Sequence, residues 1–434
     1  MHPRKPQSPQ EKALLEKARR YLPGATLGNA PSNYDDGFLV QGGRGAKVWD
    51  FSGNEYIDYL LGSGPMLLGH AHPAVVEAVR SQLDQGSTFF LTNGAIVQLA
   101  EEVCKAVPCA DMVRFTTSGT DATFQAMRAA RAYRKRDVVL KFEGGFHGSS
   151  DYALQSVTPA RLVDFPTPLA GSAGIPKAIQ DTMLIAPFND LDATASIITK
   201  RHDELAAVIV EPMQRILPPA PGFLQGLREV TARYGIPLIF DEVVTGFRFA
   251  YGGAQEYYGV TPDLAALGKV IGGGYPLAAV CGRADIMRAY DAGAVAGGDF
   301  IPQTGTLNGN PVAAVAGLAT LAELRKPGVY QRLHDAGSRL RTALQQTLDQ
   351  AEIPARVCGE DTVFDVYFTE APITTYRSTL SANGAMLRRF NRLLLERGIL
   401  KGGQKFYLSL AHTDQDLDQT IAAIRDAAEH LRGT

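Results

Sequence analysis

"PDLAALGKVIGGG", Pro262 to Gly274, places a lysine where an apolar strand runs out. Leu264–Leu267 reads as a short buried strand, Lys269 follows, and after Val270 and Ile271 come three glycines. Lysine is almost never fully buried without a partner or a task. Desolvation at such a place lowers the pKa of the amine and frees a neutral nucleophile for attack on a carbonyl. The plainer alternative is a surface lysine at a strand end. The glycines allow close backbone approach at the site.

Working outward, the same texture recurs from about residue 110. "MVRFTTSG" precedes the helical stretch "DATFQAMRAARAYRKR"; then come "VVLKFEGG", "AAVIVEP", the helix "GFLQGLREVTARYG", "PLIFDEV", "LAALGK" and "LAAVCGR". Continuous apolar runs separated by amphipathic helices predict an α/β fold, a mostly parallel central sheet flanked by helices. Right-handed crossovers put the strand ends, and the loops after them, along one edge, where ligands bind.

Each strand end carries a candidate group. Thr117-Ser118-Gly119-Thr120-Asp121 opens a helix, and free N–H groups with the helix dipole there favour a phosphate. Ser118 or Thr120 also suits a plain N-cap. Phe146, in a glycine-rich loop, fits either a plate for a planar ligand or a core position; His147 beside it fits either a catalytic or a structural histidine. Asp241 ends the strand "PLIF", where an unpaired carboxylate is costly, so it requires a cation or hydrogen-bond donors, or it caps a loop. Anion cradle, aromatic plate, carboxylate and the Lys269 amine on one edge together match a flat, phosphorylated aldehyde with a basic ring nitrogen. That description fits pyridoxal phosphate, for which proteins supply a lysine Schiff base and an acidic partner to the ring nitrogen.

The chain of 434 residues has room for two domains, and 45% hydrophobic with 20% charged content is ordinary for a globular protein. A net charge of −2 argues against a basic nucleic-acid binder or a polybasic membrane anchor. Four cysteines without a CxxC pair predict reduced thiols and suggest no metal site. The opening "MHPRKPQSPQ" lacks the apolar core of a signal peptide, and no window is long and uncharged enough to span a bilayer, so a cytoplasmic location is expected. "EKALLEKARRYLPG" and "PAVVEAVRSQLDQ" have helical spacing, and "AKVWDFSGNEYIDYL" reads as a hairpin around Ser52-Gly53-Asn54. Texture divides the chain into an amino-terminal segment, 1–75, contributing to a smaller α+β domain. A large cofactor-binding domain follows over 76–325, and 326–434 forms the rest of the small domain.

From about residue 40 onward the sequence resembles the class III aminotransferases among fold type I pyridoxal-phosphate enzymes, and within them the glutamate-1-semialdehyde aminomutase branch. The stretches that carry the likeness are "GPMLLGHAHPAVVEAV", "SGTDATFQAMRAAR", "KFEGGFHG", "IFDEVVTGFRFAYGGAQEYYGVTPDLAALGKVIGGG" and "GTLNGNP". The resemblance implies that Lys269 holds the internal aldimine, Asp241 pairs with the pyridinium nitrogen, Val243 packs behind the ring and Phe146 stacks on its other face. It implies that Gly119 and Thr120, with Ser118, bind the phosphate, His147 lies at the cofactor, and Thr306 reaches the phosphate of the partner subunit. An obligate homodimer with shared sites follows. Glu211 takes a structural or secondary role, and Asp121 stands where relatives commonly have Glu.

The substrate side departs from the aminomutase pattern. "PGATLGNAPSNY" lacks the arginine that meets the substrate carboxylate there, Ser63 replaces a tryptophan, "MQRILPPAPGF" is shorter, and Gln404 stands near a glutamate position. Retained cofactor residues with altered substrate residues favour an aminotransferase acting between an amine or amino acid and a keto acid or aldehyde. The alternatives are glutamate-1-semialdehyde aminomutase, or a related isomerase or racemase, and a non-catalytic cofactor-binding protein. Arg215 and Arg248 are arginines whose roles stay open between a substrate acid and a structural salt bridge.

Overall fold

The computed structural model describes residues 4–28, 37–295 and 299–431. The chain forms two compact units: one of Met1–Pro73, Gln331–Ile373 and Thr379–Thr434, the other of Ala74–Tyr330 and Thr374–Ser378. The five residues Thr374–Ser378 thus return to the second unit from within carboxyl-terminal sequence.

The first unit holds β1 (Val40–Arg44), β2 (Lys47–Asp50), β3 (Glu55–Asp58), β11 (Arg356–Glu360), β12 (Val363–Tyr367), β13 (Ile399–Leu400) and β14 (Phe406–Tyr407). β2 and β3 pair antiparallel across the Ser52–Asn54 turn, where Gly53 takes φ +75° and Asp50 Oδ1 accepts from the N–H groups of Ser52 and Asn54. β13 then pairs with β3 in parallel, so the amino-terminal hairpin and carboxyl-terminal sequence share one four-stranded sheet, ordered β1-β2-β3-β13. A second sheet runs β11-β12-β14.

Buried between these elements is an ionic knot. Lys401 Nζ lies 2.6 Å from Asp365 Oδ2 and 2.9 Å from Asn391 Oδ1, and both charged side chains are fully enclosed. Burial pushes the Asp365 carboxyl up and the Lys401 amine down, while their mutual attraction opposes both shifts. Lys401→Met is therefore expected to lower stability by about 3–5 kcal/mol, because it strands a buried carboxylate. Lys401→Met with Asp365→Leu should recover most of that loss. Denaturant unfolding of the full chain measures both; a double replacement as unstable as the sum of the singles would count against the pairing.

The second unit is built on β4 (Met112–Thr116), β5 (Val138–Phe142), β6 (Met183–Ala186), β7 (Leu205–Val210), β8 (Leu238–Glu242), β9 (Leu264–Leu267) and β10 (Ala278–Gly282). Their order is β4-β10-β9-β8-β7-β5-β6. β5, β6, β7, β8 and β9 are parallel, and β10 is antiparallel to both of its neighbours. The physical cause is length: residues 268–277 are too few for the helical crossover that a parallel return needs. With two reversals between them, β4 and β9 point the same way, so the carboxyl ends of β4, β9, β8, β7 and β5 share one edge. β6, "MLIA", is an edge strand outside the apolar runs picked out above.

The helix Gly119–Arg134 lies across the sheet centre. Ala126, Met127, Ala129 and Ala130 pack on Val139, Ala207, Ile209, Ile239, Leu264 and Val280, all at 3% exposure or less. Its small residues let the axis come close, and its amino terminus arrives at the strand-end edge. Among the described residues, no helix is long and apolar enough to cross a membrane.

Candidate active site

The expected groups lie at the carboxyl ends of strands that share one edge. Asp241, 6% exposed at the end of β8, places Oδ2 2.7 Å from His147 Nδ1 and accepts the N–H of Val243 at Oδ1, 3.1 Å. His147, 1% exposed, comes from the loop after β5, and its Nε2 is buried with no hydrogen-bond partner. Its carbonyl accepts from Thr123 Oγ1 at 2.6 Å, tying this loop to the helix Gly119–Arg134. An aspartate at the end of an apolar strand thus finds its donors in a histidine and a backbone amide.

At the start of that helix, Ser118 is the N-cap: its Oγ accepts from Asp121 N at 3.2 Å and donates to Asp121 Oδ2 at 2.9 Å. The Ser118 hydroxyl is committed to the cap. Gly119 N and Thr120 N, in the first turn, have no intrahelical acceptor and point off the helix end. Thr120 Oγ1 accepts from Ser149 N at 3.2 Å. A Cβ on Gly119 would lie 2.8 Å from Val243 Cγ1, and one on Gly148 (φ +93°) 2.5 Å from Thr120 Oγ1. Glycine is required at both positions for this close approach. Val243 packs with Ala122, Ala266 and Ala278, between the helix start and the lysine loop.

Lys269 follows β9 in a 3₁₀ turn with φ +50°, and its side chain is half-buried rather than enclosed. A left-handed lysine is uncommon, and strained backbone of this kind collects at functional sites. One of the glycines after it, Gly273, makes a close backbone approach. A Cβ on Gly273 would meet Ala316 O at 2.6 Å, and one on Gly317 would meet Ile271 O at 2.2 Å. Gly273 and Gly317 seat the lysine turn against the helix Pro311–Leu324.

Phe146 is 41% exposed, and its N–H donates to Glu211 Oε1 at 2.7 Å. Glu211 also accepts from Arg215 N at 3.1 Å, so it shapes two neighbouring loops. Thr306 is exposed on the loop after residue 303. Several residues not singled out as candidates above support the loop after β5. Lys141, fully buried, donates from Nζ to the carbonyls of Gly145 and Gln155, and burial pushes its pKa down to about 7. Glu143 accepts both arms of Arg377, at 2.8 and 3.1 Å. A lysine inside "VVLKF" is the one signal in the sequence that pointed to the first of these.

An α/β sheet whose strand-end edge carries a lysine turn, an aspartate–histidine pair and an open helix amino terminus is that of a fold type I pyridoxal-phosphate-dependent transferase. The chain belongs to the class-III aminotransferase family, whose model (Aminotransferase class-III) matches residues 30–427. Glutamate-1-semialdehyde 2,1-aminomutase of Desulforudis audaxviator is 40% identical, over 95% of this chain and 96% of its own. An ω-transaminase structure from Sphaerobacter thermophilus superposes with a TM-score of 0.92 at 37% identity, covering 97% of this chain and 98% of that one. A transaminase with PLP bound gives a TM-score of 0.90 at 29% identity over 99% of both chains. Pyridoxal phosphate is the cofactor of this family, and the donors described above fit it: an amine, a carboxylate for the ring nitrogen, and free N–H groups for a phosphate.

Proposed function

We propose that the chain is an aminotransferase, moving an amino group between an amine or amino acid and a keto acid or aldehyde. The observation that carries this reading is that Lys269, after β9, and the Asp241–His147 pair, at β8, lie at the carboxyl ends of neighbouring parallel strands. Gly119 and Thr120 would hold the phosphate through backbone N–H groups, with Ser118 fixing the turn. Asp241, oriented by His147 and Val243 N, would hold a proton at the ring nitrogen, and Val243 and Phe146 would cover the two ring faces. Bound pyridoxal phosphate supplies a carbonyl carbon for condensation with amines and a ring that draws electron density from the carbon losing its proton. Lys269 would anchor it. Released by an incoming amine, Lys269 Nζ would serve as the general base that takes the proton from the amine-bearing carbon and delivers it to a second carbon, which is what separates transfer from racemisation.

A homodimer with shared sites fits the same reading. Phe90, Leu91 and Val97 are 63%, 76% and 54% exposed, and Phe90, Leu91 and Val97 line one hollow with Thr304 and Gly305, next to Thr306. Apolar groups so exposed mark a protein contact surface, and an exposed Thr306 suits a residue that serves a second copy. A cytoplasmic location belongs to the same proposal.

Altered substrate residues favour exchange between two molecules over rearrangement within one. Ser63 and Gln404 stand at two of these positions; residues 29–34 of the arginine-free stretch lie outside the described residues. The aminomutase relative at 40% identity favours the second reading, isomerisation. Turnover of an amine donor with and without an added keto acid or aldehyde separates the two. Exchange is expected to stop when the acceptor is omitted; product formed without any acceptor would establish the isomerase.

A further inference from the structure

We propose that Arg215 binds a carboxylate of the substrate, making it a specificity-determining residue beside the Phe146 ring. The inference rests on reading this strand-end edge as the place where substrate meets cofactor. Arg215 sits in the loop after β7, the strand between β8, which bears Asp241, and β5, which precedes Phe146. Gln214 and Leu217 exchange backbone hydrogen bonds of 3.0 and 2.8 Å, closing a two-residue turn over Arg215 and Ile216. Arg215 takes φ +61° in its first position, one that ordinarily holds glycine, asparagine or aspartate. A long cationic side chain held in left-handed backbone is strained, and such strain persists where the surroundings or a function demand it.

The guanidinium is placed but not neutralised. Nε donates to Gly144 O at 3.2 Å, and Cζ lies 5.0 Å from the Phe146 ring centroid. Both contacts orient the fork and, among the described residues, leave the N–H groups of the two terminal nitrogens without an acceptor. Glu211, the acid nearest in sequence, turns its oxygens to the N–H groups of Phe146 and Arg215 and forms no ion pair with the guanidinium. Glu143 is already taken by Arg377. Arg248, the other arginine in question, is fully buried. A half-buried, planar fork with its free edge open, beside an exposed aromatic face, is the geometry for bidentate capture of a carboxylate. The substrate class this implies is an amino or keto acid rather than a neutral amine.

The test uses the holoenzyme and straight-chain carboxylates of two to five carbons against their primary amides, with binding measured by calorimetry and without turnover. Arg215→Asn tolerates left-handed backbone, so its thermal midpoint should be unchanged or higher. It should weaken carboxylate binding about 10- to 100-fold, as loss of a charged hydrogen-bond pair does, and leave amide binding alone. Arg215→Lys, keeping the charge without the fork, should fall between. Carboxylate binding that is equal in Arg215→Asn, an equal loss for the amides, or no preference of the parent enzyme for carboxylates would each overturn the proposal. Failure of transamination itself would show separately, as an unchanged cofactor spectrum when amine donors are added to the parent enzyme.

Discussion

Lys269→Ala is expected to reduce amino-group exchange by at least about 10⁴-fold, because one side chain supplies both the anchor and the proton carrier. The variant should also lose the visible absorbance that the cofactor shows when joined to an enzyme lysine, while still binding it through the phosphate cradle at Gly119 and Thr120. The turn that presents Lys269 does not depend on the lysine itself. It is fixed by Gly273 and Ile271 against the backbone of the helix Pro311–Leu324, where the nearest approaches leave no room for a Cβ. Alanine at φ +50° keeps the strain already present, so the fold should survive and the loss be chemical. Retained multiple-turnover exchange in a preparation shown spectroscopically to lack the lysine adduct would remove Lys269 from the mechanism.

Much of this edge was legible because strands buried on both faces leave unbroken apolar runs, and their first polar residues are then conspicuous. Asp241 and Lys269 stand out for that reason, the one being the first charged group within the last residues of β8 and the other the first after β9. What stayed hidden depends on contacts between distant parts of the chain. The pair of Glu143 and Arg377 joins residues 234 apart, and nothing local to either one predicts it. β6 is only four residues long, and the reversal of β10 follows from a connection length that becomes meaningful only once both strands are paired. Strain is hidden in the same way. The sequence "MQRILP" does not say that Arg215 is left-handed; closure of the Gln214–Leu217 turn does. Gly273 after Lys269 is a visible signal whose partner is hidden: the close approach it permits is to the backbone of the helix Pro311–Leu324, well further along the chain.

Asp241→Asn should lower kcat by about 10³-fold, with a much smaller change in KM. The amide keeps the shape of the carboxylate and can still accept from Val243 N, but it carries no charge to hold a proton on the ring nitrogen. His147→Ala should cost less, about 10- to 100-fold. His147 lies within hydrogen-bond distance of Asp241 Oδ2, 2.7 Å, and its own backbone is independently held by Thr123. It is therefore a positioning residue that acts through the aspartate. If so, the two losses cannot add: once the charge at 241 is gone, orienting that side chain is worth little. Asp241→Asn with His147→Ala should be scarcely slower than Asp241→Asn alone, a coupling of about 1.5–3 kcal/mol in the cycle. Thermal melts of the same variants separate this from simple damage, since a structural loss at His147 would lower the midpoint equally on either background. Rates that multiply across the cycle would instead give His147 a task of its own, directed through the buried Nε2 that faces no protein acceptor.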